Sequence, residues 1–222
     1  MERLSVPLAL QDFVPVLISA VGWYFVVRVT AGANVAAGRL AMVGAMLVVL
    51  GGLSRAVWKL IFALDGPDIS LLHAGLYPLL TAGFLALAGA LWAASKPRSP
   101  GRLAWLGPLV VVAALGVLSW LVDAGNGRLV PVMWLGVATI GLFVASGLLA
   151  LRAWNLGRRG VAALFVIGIV ATILLNGLAR VAEQDEAVQW AEQGLNTVNQ
   201  LLFAIAAWRL WLAERPSAGP TP

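Results

Sequence analysis

The chain has 222 residues, of which 61% are hydrophobic and only 11% charged, with a mean hydropathy of +0.91, which excludes a soluble core as the sole destination of its apolar residues. Cysteine is absent and His73 is the single histidine, which excludes a disulfide framework, a thiolate metal site and a bis-histidine haem built from this chain alone. The formal net charge of +5 invites comparison with nucleic-acid binders until the positions of the charges are read.

Several apolar runs approach or exceed the roughly 20 residues that cross about 30 Å of hydrocarbon as a helix. They lack the alternation of barrel strands, so an all-α bundle is expected. The first twelve residues, MERLSVPLALQD, have no basic stretch followed by a small-residue cleavage site, and a cleaved signal peptide is not expected. A first span is predicted over 13–29, a turn over 32–38, and a second span over 40–64 with Arg55 and Lys59 in its last third. Asp65-Gly66-Pro67-Asp68 ends it as a turn. The third span, 70–94, holds His73 and Tyr77 in its first turns. A Pro/Gly-rich loop with Lys96, Arg98 and Arg102 leads to an aliphatic fourth span, 103–122. The fifth carries Pro131 in its first turn, where a missing N–H costs least, and runs to Arg152. The sixth, 161–180, ends in Asn176 and Arg180, and the loop AEQDEA opens the seventh, 188–212. The expectation is one domain, 1–222, of seven transmembrane helices.

The charges sort by loop. Arg28, Arg39, Lys96, Arg98, Arg102, Arg152, Arg158, Arg159, Arg209 and Arg215 share one side with a single acid, Glu214, while the other side holds almost all the acids, including Asp12, Asp65, Asp68, Glu183, Asp185, Glu186 and Glu192. The positive-inside rule places the basic side in the cytoplasm, hence the N-terminus outside and the C-terminus inside. The basic balance is a topology signal and requires no nucleic acid.

Similar short patterns recur in order. Val14-Pro15-Val16 matches Val130-Pro131-Val132, Gly52-Leu53-Ser54-Arg55 matches Gly177-Leu178-Ala179-Arg180, and Gly75-Leu76, Phe84 and Leu91-Trp92 match Gly194-Leu195, Phe203 and Leu210-Trp211. Residues 13–97 thus read as duplicated in 129–216, with 103–122 as a linker helix, and an odd linker makes the repeat parallel. This 3+1+3 layout is similar to that of SWEET-type sugar facilitators and, in outline, to microbial rhodopsins. The resemblance spans the whole chain as layout alone. The Pro-Gln dipeptide of PQ-loop relatives is absent, and Lys59 and Lys96, the only lysines, lie outside the seventh span, which excludes a retinal Schiff base.

Almost all intramembrane polarity falls in the outer half. On the seventh helix Gln189, Gln193, Asn196 and Gln200 share a face flanked by Glu192 and Asn199. Lipid penalises such a face, so it should point into the protein or a wet cavity. The candidate ligand-binding set is Arg55, His73, Tyr77, Asn176, Arg180, Gln193, Asn196, Asn199 and Gln200. Each has a plainer reading: Arg55 and Arg180 as helix-end cations paired with loop acids, Lys59 snorkelling to the interface, His73 as an interfacial residue, the amides as interhelical glue. No catalytic constellation, metal ligand set or cofactor motif is present; His73 with Asp65 or Asp68 is the only conceivable acid–base group, so an enzyme is disfavoured. Expected partners are the lipid bilayer and a small polar or anionic ligand, with a protein partner or homo-oligomer left open. The leading expectation is a plasma-membrane transporter or facilitator of a small polar solute; the alternative is a ligand-binding sensor subunit that signals to a separate cytoplasmic partner. The cysteine-free Ala/Gly/Val/Leu/Arg-rich composition points to a bacterial inner membrane.

Overall fold

The computed structural model describes residues 5–96, 102–126, 129–181 and 186–215. With no water to pair with the backbone in lipid, each apolar stretch satisfies its own N–H and C=O groups as a helix. Eight helices form: α1 (Val6–Gln11), α2 (Phe13–Ala33), α3 (Val35–Ala63), α4 (Ser70–Ala94), α5 (Arg102–Asn126), α6 (Leu129–Asn155), α7 (Arg159–Val181) and α8 (Glu186–Glu214). No strand occurs among the described residues. Six stretches are long and apolar enough to cross a membrane: α1 and α2 together, α3, α4, and parts or all of α5, α6 and α7. The seventh long helix, α8, has 29 residues, ample for about 30 Å at roughly 1.5 Å per residue. Its amide-rich first half keeps it below the apolarity of the other six.

Two local expectations are corrected. The segment before residue 13 is a short helix, α1, seated against α3 and α8, with Pro7 in its first turn where a missing N–H is tolerated. The turn expected over 32–38 shrinks to Asn34. This residue is extended (φ −156°, ψ 118°) and its side chain accepts a 3.0 Å hydrogen bond from the Ala37 amide, so one residue ends α2 and caps α3. The turn after α3 forms as expected, with Asp65 left-handed at φ 57° and the Gly66 amide donating to Ile61 O at 2.9 Å.

Packing closes six of the long helices into a ring. Helix α2 lies between α3 and α8, α4 between α3 and α6, and α7 between α6 and α8. The order around the ring is α2, α3, α4, α6, α7, α8. Exchanging α2, α3 and α4 for α6, α7 and α8 leaves that order unchanged. Helix α5 stands outside against α4 and α6, with only 6% of its apolar window buried.

The ring has a dry half and a polar half. Toward the end carrying Arg28, Arg39 and Arg152, the interior is filled by Val26, Ala41, Ala45, Leu87, Ala90, Leu91, Leu149, Ala153, Ala206, Ala207 and Leu210, all buried. Small residues suit this place because lipid supplies no hydrophobic drive between helices, so association rests on close van der Waals packing. A close backbone approach pairs Gly44 of α3 with Gly83 of α4. A Cβ on either would sit 2.8 Å from the carbonyl oxygen of the other, and one on Gly83 would also lie 2.9 Å from the Val48 nitrogen. Arg152 and Glu214 close this end by a two-point ion pair between α6 and α8, with Nη2 donating to Oε2 at 2.9 Å. At mid-height the Thr81 hydroxyl donates to Trp134 O at 2.9 Å, and Trp134 Nε1 donates to Ser119 Oγ at 2.8 Å, linking α4, α6 and α5.

Because backbone cannot yield as a flexible side chain can, Gly83→Ala and Gly44→Ala should each destabilise the purified protein by about 1–3 kcal/mol. Gly147→Ala, where a Cβ meets nothing within 4 Å, should be neutral or slightly stabilising. Thermal unfolding in detergent checks this; equal effects at the three positions would refute the close approach of α3 and α4.

Candidate functional site

The polar half of the ring encloses a cavity of about 480 Å³ lined by all six ring helices. Its layers follow from helix register, since residues three or four apart share a face and each turn descends about 5.4 Å. The rim holds Asp12, Lys59, Glu192 and Gln193. Asp12 sits where α1 gives way to α2, and it receives both Lys59 Nζ of α3 and Gln193 Nε2 of α8. Beside it Gln11 Nε2 donates to Thr197 Oγ1 at 3.1 Å. Lys59 thus ends in an ion pair at the cavity rim. A carboxylate at the cavity edge holds it, which costs less than leaving a half-buried ammonium unpaired.

One turn deeper lie Arg55 of α3, Asn196 of α8 and Asn176 of α7. Arg55 is half-buried and forms no ion pair among the described residues, so the loop acids expected as its partners do not take that role. Next come Ser19, Thr172, Asn199 and Gln200. Asn199 is only 7% exposed. Its Nδ2 donates to Thr172 Oγ1 at 3.3 Å and the Thr172 hydroxyl is spent on Gly168 O at 2.9 Å. Asn199 Oδ1 then has no donor, and neither do the buried Oε1 atoms of Glu192 and Gln193. Gln200 Nε2 approaches Asn196 Oδ1 at 3.5 Å, too long to count for much.

The floor is aromatic. Trp23 lies 4.5 Å from Phe203 and 5.9 Å from Phe84 between ring centroids, and Phe165 stands edge-on to Phe203 at 6.1 Å. Gly22 makes this possible, because a Cβ there would lie 2.6 Å from the Phe203 ring. From Asp12 to Trp23 the descent is eleven residues, about 16 Å or half the hydrocarbon thickness.

Of the sequence-predicted candidates, Arg55, Asn176, Gln193, Asn196, Asn199 and Gln200 meet in this cavity. His73 and Tyr77 do not line it. His73 packs 4.5 Å from Trp58 and 6.2 Å from Tyr77, with Trp58 Nε1 donating to Asp68 at 2.8 Å. The side chain of Arg180 and the loop acids Glu183 and Asp185 lie outside the described residues. Sequence reading missed Asp12 and the aromatic floor as lining, and left Glu192, which it placed beside the α8 face, out of the candidate set. Glu192 was within reach, since it stands four residues before Asn196 on one face. The pairing of Trp23 with Phe203, 180 residues apart, left no local signal. Among the described residues no cluster of His, Cys, Asp or Glu is placed to hold a metal. A larger recess at the opposite end is lined by Arg28, Arg39, Arg152 and Arg215, and the dry packing separates it from the cavity.

Comparison with known protein families, curated proteins and solved structures finds no match to this chain.

If Asp12 is the joint between α1, α3 and α8, its pairing with Lys59 should be energetically coupled. A double-mutant cycle with Asp12→Asn and Lys59→Met should give an interaction energy of about 1–3 kcal/mol by unfolding in detergent. Strict additivity would dissolve the joint.

Proposed function

We propose that the protein is a multi-pass membrane transporter of a small polar solute, with this cavity as its solute site in the outward-open state. The basic helix ends lie in the cytoplasm under the positive-inside rule, which turns the polar rim outward. The observation that carries the reading is the cavity itself: six helices enclose a polar chamber that stops at an aromatic floor near mid-membrane, the depth at which alternating-access proteins hold their substrates. The exchange symmetry of the ring order supports two three-helix halves, α2–α4 and α6–α8, that rock against each other. In that motion Trp23, Phe84, Phe165 and Phe203 are the gate. Unpaired polar atoms line the chamber in numbers that interhelical glue does not require, and lipid-embedded proteins keep such atoms only where they meet water or ligand.

A second reading is favoured by one observation. Below Trp23 the ring interior is Ala, Leu and Val, with no polar route to the basic end. A sensor that binds solute outside and reports through helix shifts to a cytoplasmic partner needs no such route.

Uptake into proteoliposomes separates the two. A transporter moves a labelled solute across the bilayer, Asn199→Leu abolishes that flux while leaving the unfolding temperature unchanged or raised, and Trp23→Ala converts coupled uptake into a leak. Saturable binding without any flux in a homogeneous preparation would establish the sensor. Flux indifferent to both substitutions would refute the cavity as the pathway.

A further inference from the structure

The charges of the described residues that line the cavity cancel, yet two of them stay apart. Asp12 and Lys59 form a pair at the rim. Arg55 on α3 and Glu192 on α8 also face the cavity, and neither forms an ion pair with the other or with any other described residue. A half-buried guanidinium without an anion is costly, and Arg presents a fork that suits a carboxylate at two points. The wall formed by α8, on the far side of α2 from α3, has the complementary deficit. Glu192 Oε1, Gln193 Oε1 and Asn199 Oδ1 are buried acceptors without donors, and Asn199 cannot turn to satisfy itself because its amide nitrogen is already committed to Thr172.

The heights agree. Lys59 and Gln193 both touch Asp12 and so share a level. Arg55 is one turn deeper on α3, about 6 Å, while Glu192 and Asn199 lie about 10 Å apart along α8. The level of Arg55 therefore falls within the stretch of α8 bounded by Glu192 and Asn199, which carries all three unpartnered acceptors. Beneath them is the floor of Trp23, Phe165 and Phe203.

On the reading of the cavity as a solute site, we infer that it takes a small zwitterion of the α-amino-acid type with an apolar or aromatic side chain. The carboxylate meets Arg55, the ammonium donates to the acceptors of α8 under the field of Glu192, and the side chain rests on the aromatic floor. A simple anion leaves the α8 acceptors without donors and adds like charge opposite Glu192. A simple cation leaves Arg55 unanswered. A neutral polyol fills the acceptors without matching the separated charges.

The test uses the full-length protein in nanodiscs and measures binding of L-leucine, L-methionine and L-phenylalanine beside phenethylamine, 3-phenylpropionate and glucose. At least one of the amino acids should bind saturably, and when it is phenylalanine the two truncated analogues should bind roughly ten- to a hundredfold more weakly, as expected for losing one charge-assisted contact. Arg55→Gln should lower amino-acid affinity by a similar factor and leave phenethylamine unaffected; Glu192→Gln should do the converse, sparing 3-phenylpropionate. Arg55→Lys, which keeps the charge but not the fork, should fall between. Binding of 3-phenylpropionate as tight as that of phenylalanine, or amino-acid binding indifferent to Arg55→Gln, overturns the zwitterion. Saturable glucose binding lost in Asn199→Leu, with no amino acid bound, overturns the zwitterion and keeps the solute cavity. No saturable binding of any of the six overturns both.

Discussion

The contact between the first long helix and the last holds the molecule in its shape. It runs the whole depth of the bundle, from Asp12 with Gln193 at the rim, where Gln11 of α1 adds a bond to Thr197, through Trp23 against Phe203, to Phe25 tilted against Trp211 at 5.1 Å and Arg28 over the same indole at 6.0 Å. Helix α8 is too polar to face lipid along its first half. Seating it on α2 closes the ring, and closure turns the amides of α8 inward. Without this seam, Gln193, Asn196 and Gln200 would confront hydrocarbon at several kcal/mol. With it they become the wall of a chamber.

Closure also divides the protein by depth. Above the aromatic floor, side chains are long or polar and leave unfilled space. Below it, small residues allow the helices to meet backbone to backbone, as Gly44 and Gly83 do. The two halves need each other. The lower half supplies the packing that keeps the ring closed, so the upper half can keep atoms such as Asn199 Oδ1 unpartnered and available. A polar cavity with unpartnered acceptors is a place where stability is forgone locally, and the dry half is where it is recovered.

Much of the fold was legible because membrane solvation leaves few choices. Apolar runs of about 20 residues must be helices, and the turn at Asp65-Gly66 was read within one residue of the observed helix end at Ala63. The limits of the reading have physical causes. Residues 6–11 are too few to carry a periodic signal, so α1 went unseen. The single-residue break at Asn34 is a cap, and capping depends on one side chain's geometry, not on composition. At the site, the face of α8 was visible as a three-to-four repeat of amides, and six of the nine candidates gather there. His73 and Tyr77 share a helical face with each other, but which face of α4 looks inward is decided by packing against α3, where Trp58 claims the histidine. The ion pair of Lys59 was not legible because its partner, Asp12, lies 47 residues away and outside the predicted spans.

Helix α5 contributes no residue to the cavity and almost none to the core. Its position outside the ring has a consequence for how such a chain can be assembled. The second set of three helices must enter the membrane in the same sense as the first for the ring to keep its exchange symmetry, and three crossings alone would reverse it. One extra crossing restores the sense, and any sufficiently apolar helix can provide it. On the proposed reading of two three-helix halves, helix α5 is a parity element: it lines none of the cavity among the described residues, and the side-chain bond described between it and the ring is the one Ser119 accepts from Trp134.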